Sequence, residues 1–223
     1  MKYAELIHLL KTEQNIDVLD ARREEIAELM PSIRVMFDFD QKNAAHQYDL
    51  WRHCLHVAIG LPRNLDDDML YLAALVHDIG KPDCQVPDRV EGERHMHYPN
   101  HPERSAEILL KHILPELESH GMRYTEAEHR RFYYYVYYHD ERMKLSQKMV
   151  NTHLDFVGKE VFQNLMILEV ADAVAHVQIP IIRERVRVCS ILAGLTGEQL
   201  QEVENLKDID EVKLINNLRN AIA

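Results

Sequence analysis

An all-α fold is predicted by three features of the sequence. Apolar residues recur at helical spacing along most of the 223 residues, and no run alternates as a half-buried strand would. Only 7 glycines and 8 prolines punctuate the chain, too few for a linker-rich or all-β protein. With 46% hydrophobic residues, a sizeable core can form as one unit. We expect one domain over 1–223, with a core at 36–178, an N-terminal helical extension at 1–35 and a C-terminal helical extension at 179–223.

Residues 2–11 and 18–30 read as two amphipathic helices, the second stopped by Pro31. A third spans His46 to Gly60, with Pro62 beyond it. Asp66, Asp67 and Asp68 supply an N-cap and an acidic first turn to a helix from Met69 to Ile79. Gly80 is its expected C-cap, and Pro82 prevents continuation. Residues 80–100 carry Pro82, Pro87, Gly92 and Pro99 and hold at most a short hairpin. A connection of this length inside a compact domain is usually functional or mobile. The next helix starts at His101, with Pro102 suited to its first turn, and ends near Glu118. Others are expected at 125–138, 146–157, 160–178, 181–194 and 208–222, the last capped by Asp208.

The formal net charge of −11 repels nucleic-acid backbones, so no long nucleic acid is an expected partner. A small phosphorylated substrate drawn to a local metal charge is compatible with it. No run reaches the ~18 apolar residues of a membrane span. The N-terminus lacks the charged and apolar regions of a signal peptide. Cys54, Cys84 and Cys189 are odd in number and have no C-x-x-C spacing, as expected of thiols in a reducing cytoplasm.

Five short stretches carry the chemistry: His53 in WRHCLHVA, His77-Asp78 in LAALVHDIGKP, His101 in YPNHPERSA, His139 in VYYHDER and Asp172 in LEVADAVAH. Imidazole and carboxylate are the ligands that hold borderline divalent metals. Neighbouring side chains diverge by about 100° inside a helix. At a helix C-terminus His77 and Asp78 can be turned toward one ion, and the helix dipole there favours a cation. A carboxylate at Asp172, among Val and Ala, is costly unless a metal or a partner such as His176 compensates it. With His101 and His139 as further ligands, Asp78 can bridge two ions; without them the site is mononuclear. Lys81, past the helix end, either pairs with a substrate phosphate or is an ordinary surface lysine. Arg183 and Arg187 share a helix face, expected to be solvated or salt-bridged. The run Phe132, Tyr133, Tyr134, Tyr135, Tyr137 and Tyr138 must send some rings into the core. Among the remaining histidines, His97 is the candidate to approach a substrate.

The order H…HD…H…H…D resembles that of the HD superfamily of metal-dependent phosphohydrolases. The spacing H-C-L-H-V-A is similar to its first motif with His53, not His56, as the ligand. From Met36 to about Gln178 the chain further resembles the HD domain of bacterial tRNA nucleotidyltransferases (CCA-adding enzymes). The residues that carry this are MFDFDQKNAAHQYDLWRHCLHV, LAALVHDIGKP, HYPNHPERSAEIL and LEVADAVAH. Two departures stand out. The glycine and glutamate that commonly flank the third histidine are here Asn100 and Pro102. Asp38-Phe39-Asp40 and Asp208-Ile209-Asp210 have D-x-D spacing but lack the preceding glycine-serine turn, so nucleotide addition is not expected.

The resemblance implies a hydrolase acting on a small phosphate ester, a nucleotide or cyclic nucleotide, through metal-activated water. On this reading His53, His77, Asp78 and Asp172 hold one divalent ion. His101 and His139 hold a second, with Asp78 bridging. Asp78 and Lys81 are the catalytic candidates. Mn, Fe, Co, Ni, Zn or Mg are the candidate metals. Two other classes stay open: a regulatory module that keeps the metal without turnover, and a di-iron oxygenase.

Overall fold

The computed structural model describes residues 1–140 and 147–194, so the helix expected at 208–222, with Asp208-Ile209-Asp210, lies outside the described residues. The described chain is all-α. Helices α1 (Tyr3–Thr12), α2 (Ile16–Asp20) and α3 (Arg23–Leu29) lead into a 3-10 segment, Pro31–Met36. Then come α4 (Leu50–Ile59), α5 (Asp68–Val76), α6 (Lys81–Cys84), α7 (His101–Ile108), α8 (Leu114–Ser119), α9 (Glu126–Tyr138), α10 (Gln147–Ala175) and α11 (Pro180–Leu192). The connection after α6 holds the one short hairpin of the described residues, β1 (Val86–Asp88) antiparallel to β2 (Gly92–His97). Val86 faces His97 across it.

Helix α5 is the centre of the molecule. Every residue from Met69 to Val76 is buried, as a helix apolar all round requires, and α1, α4, α9 and α10 pack around it. Asp67 caps it, accepting from the Met69 N–H, and also accepts from the Tyr135 hydroxyl at 2.6 Å. Among the described residues no helix is long and apolar enough to cross a membrane.

Several boundaries differ from expectation, each for a local reason. The helix expected over 18–30 is two, broken at Ala21-Arg22, and Asp20 at the break accepts bonds from Trp51 and Arg52 of α4. Helix α4 starts at Leu50 instead of His46. Asn43 closes a turn onto the Ala45 N–H and Asp49 caps the Arg52 N–H, so polar side chains take the backbone donors earlier. The run from His101 widens into a π turn at Leu109–Ile113 before α8. Pro115, at the start of α8, has no N–H for the helical ladder. Within α10, Gly158 takes φ 78 and ψ 170, a conformation only glycine adopts readily, which separates the two helices expected there. Helix α5 ends at Val76, and Gly80 is not a left-handed cap, since its φ is −79.

Candidate metal centre

The five sequence stretches meet on one side of α5. His53 comes from the middle of α4, His77 caps the C-terminus of α5, and Asp78 follows it. His101 opens α7, His139 caps α9, and Asp172 lies in the last turn of α10. His53, His77, Asp78, His139 and Asp172 are all buried, and His101 is half-buried.

These residues form two groups that share Asp78. Its Oδ2 lies 3.3 Å from His77 Nε2 and 3.6 Å from His53 Nε2. Asp172 Oδ1 stands 2.9 Å from His53 Nε2 and 3.7 Å from His77 Nε2, completing the first group. Asp78 Oδ1 faces the other way, 3.0 Å from His101 Nε2 and 3.3 Å from His139 Nε2. These two ring nitrogens are 3.1 Å apart.

A common device orients three of the rings. His77, His101 and His139 each place Nδ1 against the carbonyl three residues earlier, on Ala74, Tyr98 and Val136, at 2.9, 2.8 and 2.7 Å. With Nδ1–H donating there, the Nε2 lone pair is turned to the centre, the arrangement by which histidine ligands are held. Four buried atoms of the cluster, His53 Nε2, His77 Nε2, Asp78 Oδ1 and Asp172 Oδ1, have no well-formed hydrogen bond despite their proximity. Lone pairs that converge in a dry interior repel one another unless a proton or a cation lies between them, and a cation removes the cost for all of them at once. Ligand type, burial and the lack of well-formed hydrogen bonds therefore all fit a divalent metal.

The electrostatics divide the histidines. Burial pushes His53 and His139 down to about 4, so both are neutral and available as ligands at physiological pH. Burial also opposes a charge on His77, but Asp78 beside it prevails and raises its pKa well above the ordinary histidine value. Asp78 is held well below the usual carboxylate range: burial works against its charge, and Lys81 and His77 overcome it. Asp172 is lowered in the same way, by Arg185 and His176 against its burial.

Lys81 is neither a surface lysine nor a residue beyond the helices. It opens α6, is 4% exposed, and sets Nζ 2.7 Å from Asp78 Oδ2 and 2.8 Å from Gln41 Oε1, with His46 Nε2 at 3.4 Å. An ammonium group has three protons, and these three acceptors account for them. Asp172 has a second partner that its sequence did not disclose. Arg185 of α11 stands 2.5 Å from Asp172 Oδ2, while His176 Nδ1 takes the Asp172 backbone carbonyl at 2.7 Å.

Two backbone positions bring the second group together. The Gly80 N–H donates to Ser105 Oγ at 2.9 Å, and a β-carbon on Gly80 would lie 2.6 Å from the Ser105 nitrogen and 2.7 Å from the His101 carbonyl. The glycine is there for close approach to α7, not for a left-handed turn. Asn100, where a glycine was the family expectation, takes φ 60 itself, a conformation asparagine tolerates.

Other candidates fall outside the centre. His56 stacks on Tyr48 at 4.1 Å. Arg183 donates to the Gln178 carbonyl and Arg187 pairs with Glu184, as expected of a polar face. Phe132, Tyr134 and Tyr135 are core residues. Gln41, His46 and Arg185 are the contacts that sequence reasoning left without a role. Gln41 and His46 stood inside the resemblance motif, and His176 was a possible partner of Asp172. Arg185 gave no signal, one arginine among three on its helix.

A polar cleft of about 270 Å³ opens onto both groups, bordered by Lys81, His97, Tyr98, Asp140, His176 and Arg185 among others. His97, carried by β2, does reach its rim and pairs there with Asp88 at 2.7 Å. No curated protein and no solved structure matches the chain. The HD domain profile matches residues 43–213, the greater part of the sequence, and spans all six convergent residues. HD domains are in general metal-dependent hydrolases, and the buried His/Asp groups described above can hold a divalent metal. This chain belongs to the HD-domain family.

Proposed function

We propose that the protein is a divalent-metal-dependent phosphohydrolase with a two-ion centre, acting on a small phosphate ester of nucleotide size. The observation that carries this reading is Asp78, which offers Oδ2 to one group of ligand atoms and Oδ1 to the other. His53, His77, Asp78 and Asp172 would hold the first ion, and His101, His139 and Asp78 the second. Divalent metal supplies Lewis acidity toward phosphate oxygens and lowers the pKa of a water toward about 7.

The chain's own contribution is placement. Burial of the ligands excludes bulk water and strengthens every charge interaction in the site. Lys81, saturated by Asp78, Gln41 and His46, acts on Asp78 and not as a free phosphate ligand. The cleft falls just under the roughly 300–1,000 Å³ of small-molecule sites, which suits one compact ester and not a polymer. The resemblance to the HD part of tRNA nucleotidyltransferases supports a nucleotide. The three cysteines are free thiols, in keeping with a cytoplasmic location.

The test is a panel of phosphomonoesters and cyclic nucleotides, assayed after reconstitution with Mn, Fe, Co, Ni, Zn or Mg. Metal-dependent release of phosphate or opening of the cyclic ester supports the proposal. Metal binding without turnover on any ester favours the regulatory module. Iron with oxygen-dependent loss of an organic substrate favours the oxygenase.

A further inference from the structure

Arg185 lies past residue 178, where the sequence placed the end of the core, yet it is 5% exposed and reaches the metal centre. Its Nε and Nη2 donate to Glu169 Oε2 at 2.9 and 2.6 Å, and Nη2 also pairs with Asp172 Oδ2 at 2.5 Å. Glu169 and Asp172 are three residues apart on α10, so they lie on one helix face, and one planar guanidinium can reach both. Glu169 is fully buried and Asp172 is 4% exposed, so this is a dry triad in which each charge depends on the others. A weaker contact at 3.4 Å joins the same Nη2 to the His139 carbonyl.

The consequence concerns the shape of the first ligand group. A carboxylate can offer a cation one oxygen or two. Asp172 Oδ2 is held by the guanidinium, and Oδ1 is the oxygen set within reach of His53 and His77. We propose that Arg185 is a positioning residue that makes Asp172 a one-oxygen ligand and thereby sets the coordination of the ion held with His53 and His77. The proposal rests on the reading of the cluster as a metal centre. Loss of the fork frees Asp172 to turn, and the partner that fixes a ligand is typically worth about 10- to 100-fold in metal affinity.

Cobalt(II) is the probe, because its visible absorption falls in intensity as coordination number rises. Arg185→Lys keeps the charge and loses the fork. It is expected to weaken cobalt binding at the site formed with His53 and His77 by about 10- to 100-fold. At saturating cobalt the visible bands should shift and lose intensity, with helical circular dichroism unchanged. Glu169→Gln removes the guanidinium's other anchor and should move the spectrum the same way to a smaller extent, which keeps the test available if Arg185→Lys does not fold. If wild-type protein takes up no cobalt, the metal reading fails and the proposal falls with it. If wild type binds cobalt and the folded variants match it in affinity and spectrum, the proposal alone is overturned.

Discussion

Gly80 and Ser105 fix the distance between the two halves of the candidate metal centre: the Gly80 N–H donates to Ser105 Oγ at 2.9 Å, with no room for a β-carbon between the two segments. The contact sets the start of α7, and with it His101, against the turn that carries Asp78.

Gly80→Ala therefore tests the second ligand group without touching a ligand. The added methyl meets backbone atoms that cannot rotate away, so α7 must shift, at a cost of about 1–3 kcal/mol. Denaturant unfolding should register that loss. Elemental analysis should show a fall in the ion assigned to His101 and His139, with the first retained. Full occupancy of both sites in Gly80→Ala protein would mean that the spacing is not critical.

The ligand set predicts an order of metal loss. Asp78→Ala removes an oxygen from each group and should strip the most metal. His53→Ala and Asp172→Ala should follow, each damaging the first group. His101→Ala removes one half-buried ligand of the second group and should cost least. Metal per folded chain is the measurement, and unchanged stoichiometry in Asp78→Ala would refute the shared carboxylate.

The pH dependence of metal-free protein has a definite sign. Unfolded histidine titrates near 6.5, whereas burial holds His53 and His139 at about 4. Between those values the unfolded chain binds protons that the folded chain refuses, so stability falls as pH falls from about 6.5 to about 4. Each such histidine contributes a slope of up to about 1.4 kcal/mol per pH unit. His77, raised above its unfolded value, adds stability below that value and loses it at higher pH, outside this window. Asp78 and Asp172, lowered, add a further loss only below about pH 4. Urea unfolding of chelated protein at several pH values checks this. Metal binding near neutral pH should also release the His77 proton, visible as a buffer-dependent binding enthalpy.

Lys81→Ala removes the charge that holds Asp78 ionised and aimed. A charge-assisted bond is worth roughly 1.5–3 kcal/mol, which corresponds to about a 10- to 150-fold loss of turnover. Metal should still bind, since no ligand is removed, though with affinity lowered by up to about the 10- to 100-fold that a ligand's supporting partner is worth. Gln41→Ala, which removes the other close acceptor of the Lys81 ammonium, should reproduce part of that loss. A Gln41→Ala enzyme with full activity would show that Lys81 needs no such support.

What the sequence disclosed, and what it hid, follows from the physics of each residue. Metal ligation needs imidazole and carboxylate, so the six convergent residues were visible as residue types at motif spacing, and the cap at Asp67 was visible as turn chemistry. Burial of a charge leaves no such mark. Lys81 read as either a phosphate contact or a surface residue, because nothing local reveals that Gln41, forty positions earlier, meets it in the interior. Arg185 was indistinguishable from Arg183 and Arg187 until packing of α11 on α10 turned one of the three inward. Gly80 was read as a cap, whereas its φ of −79 and its contacts show a need for space, and sequence does not separate that need from one for positive φ.

The most direct test of the account is phosphate-ester hydrolysis by one preparation of wild-type protein, before exhaustive chelation, after it, and after divalent metal is restored. The account predicts activity that falls to background on chelation and returns with about two ions per chain, the number two ligand groups sharing one carboxylate would hold. Turnover that persists in protein shown by elemental analysis to be metal-free would contradict it.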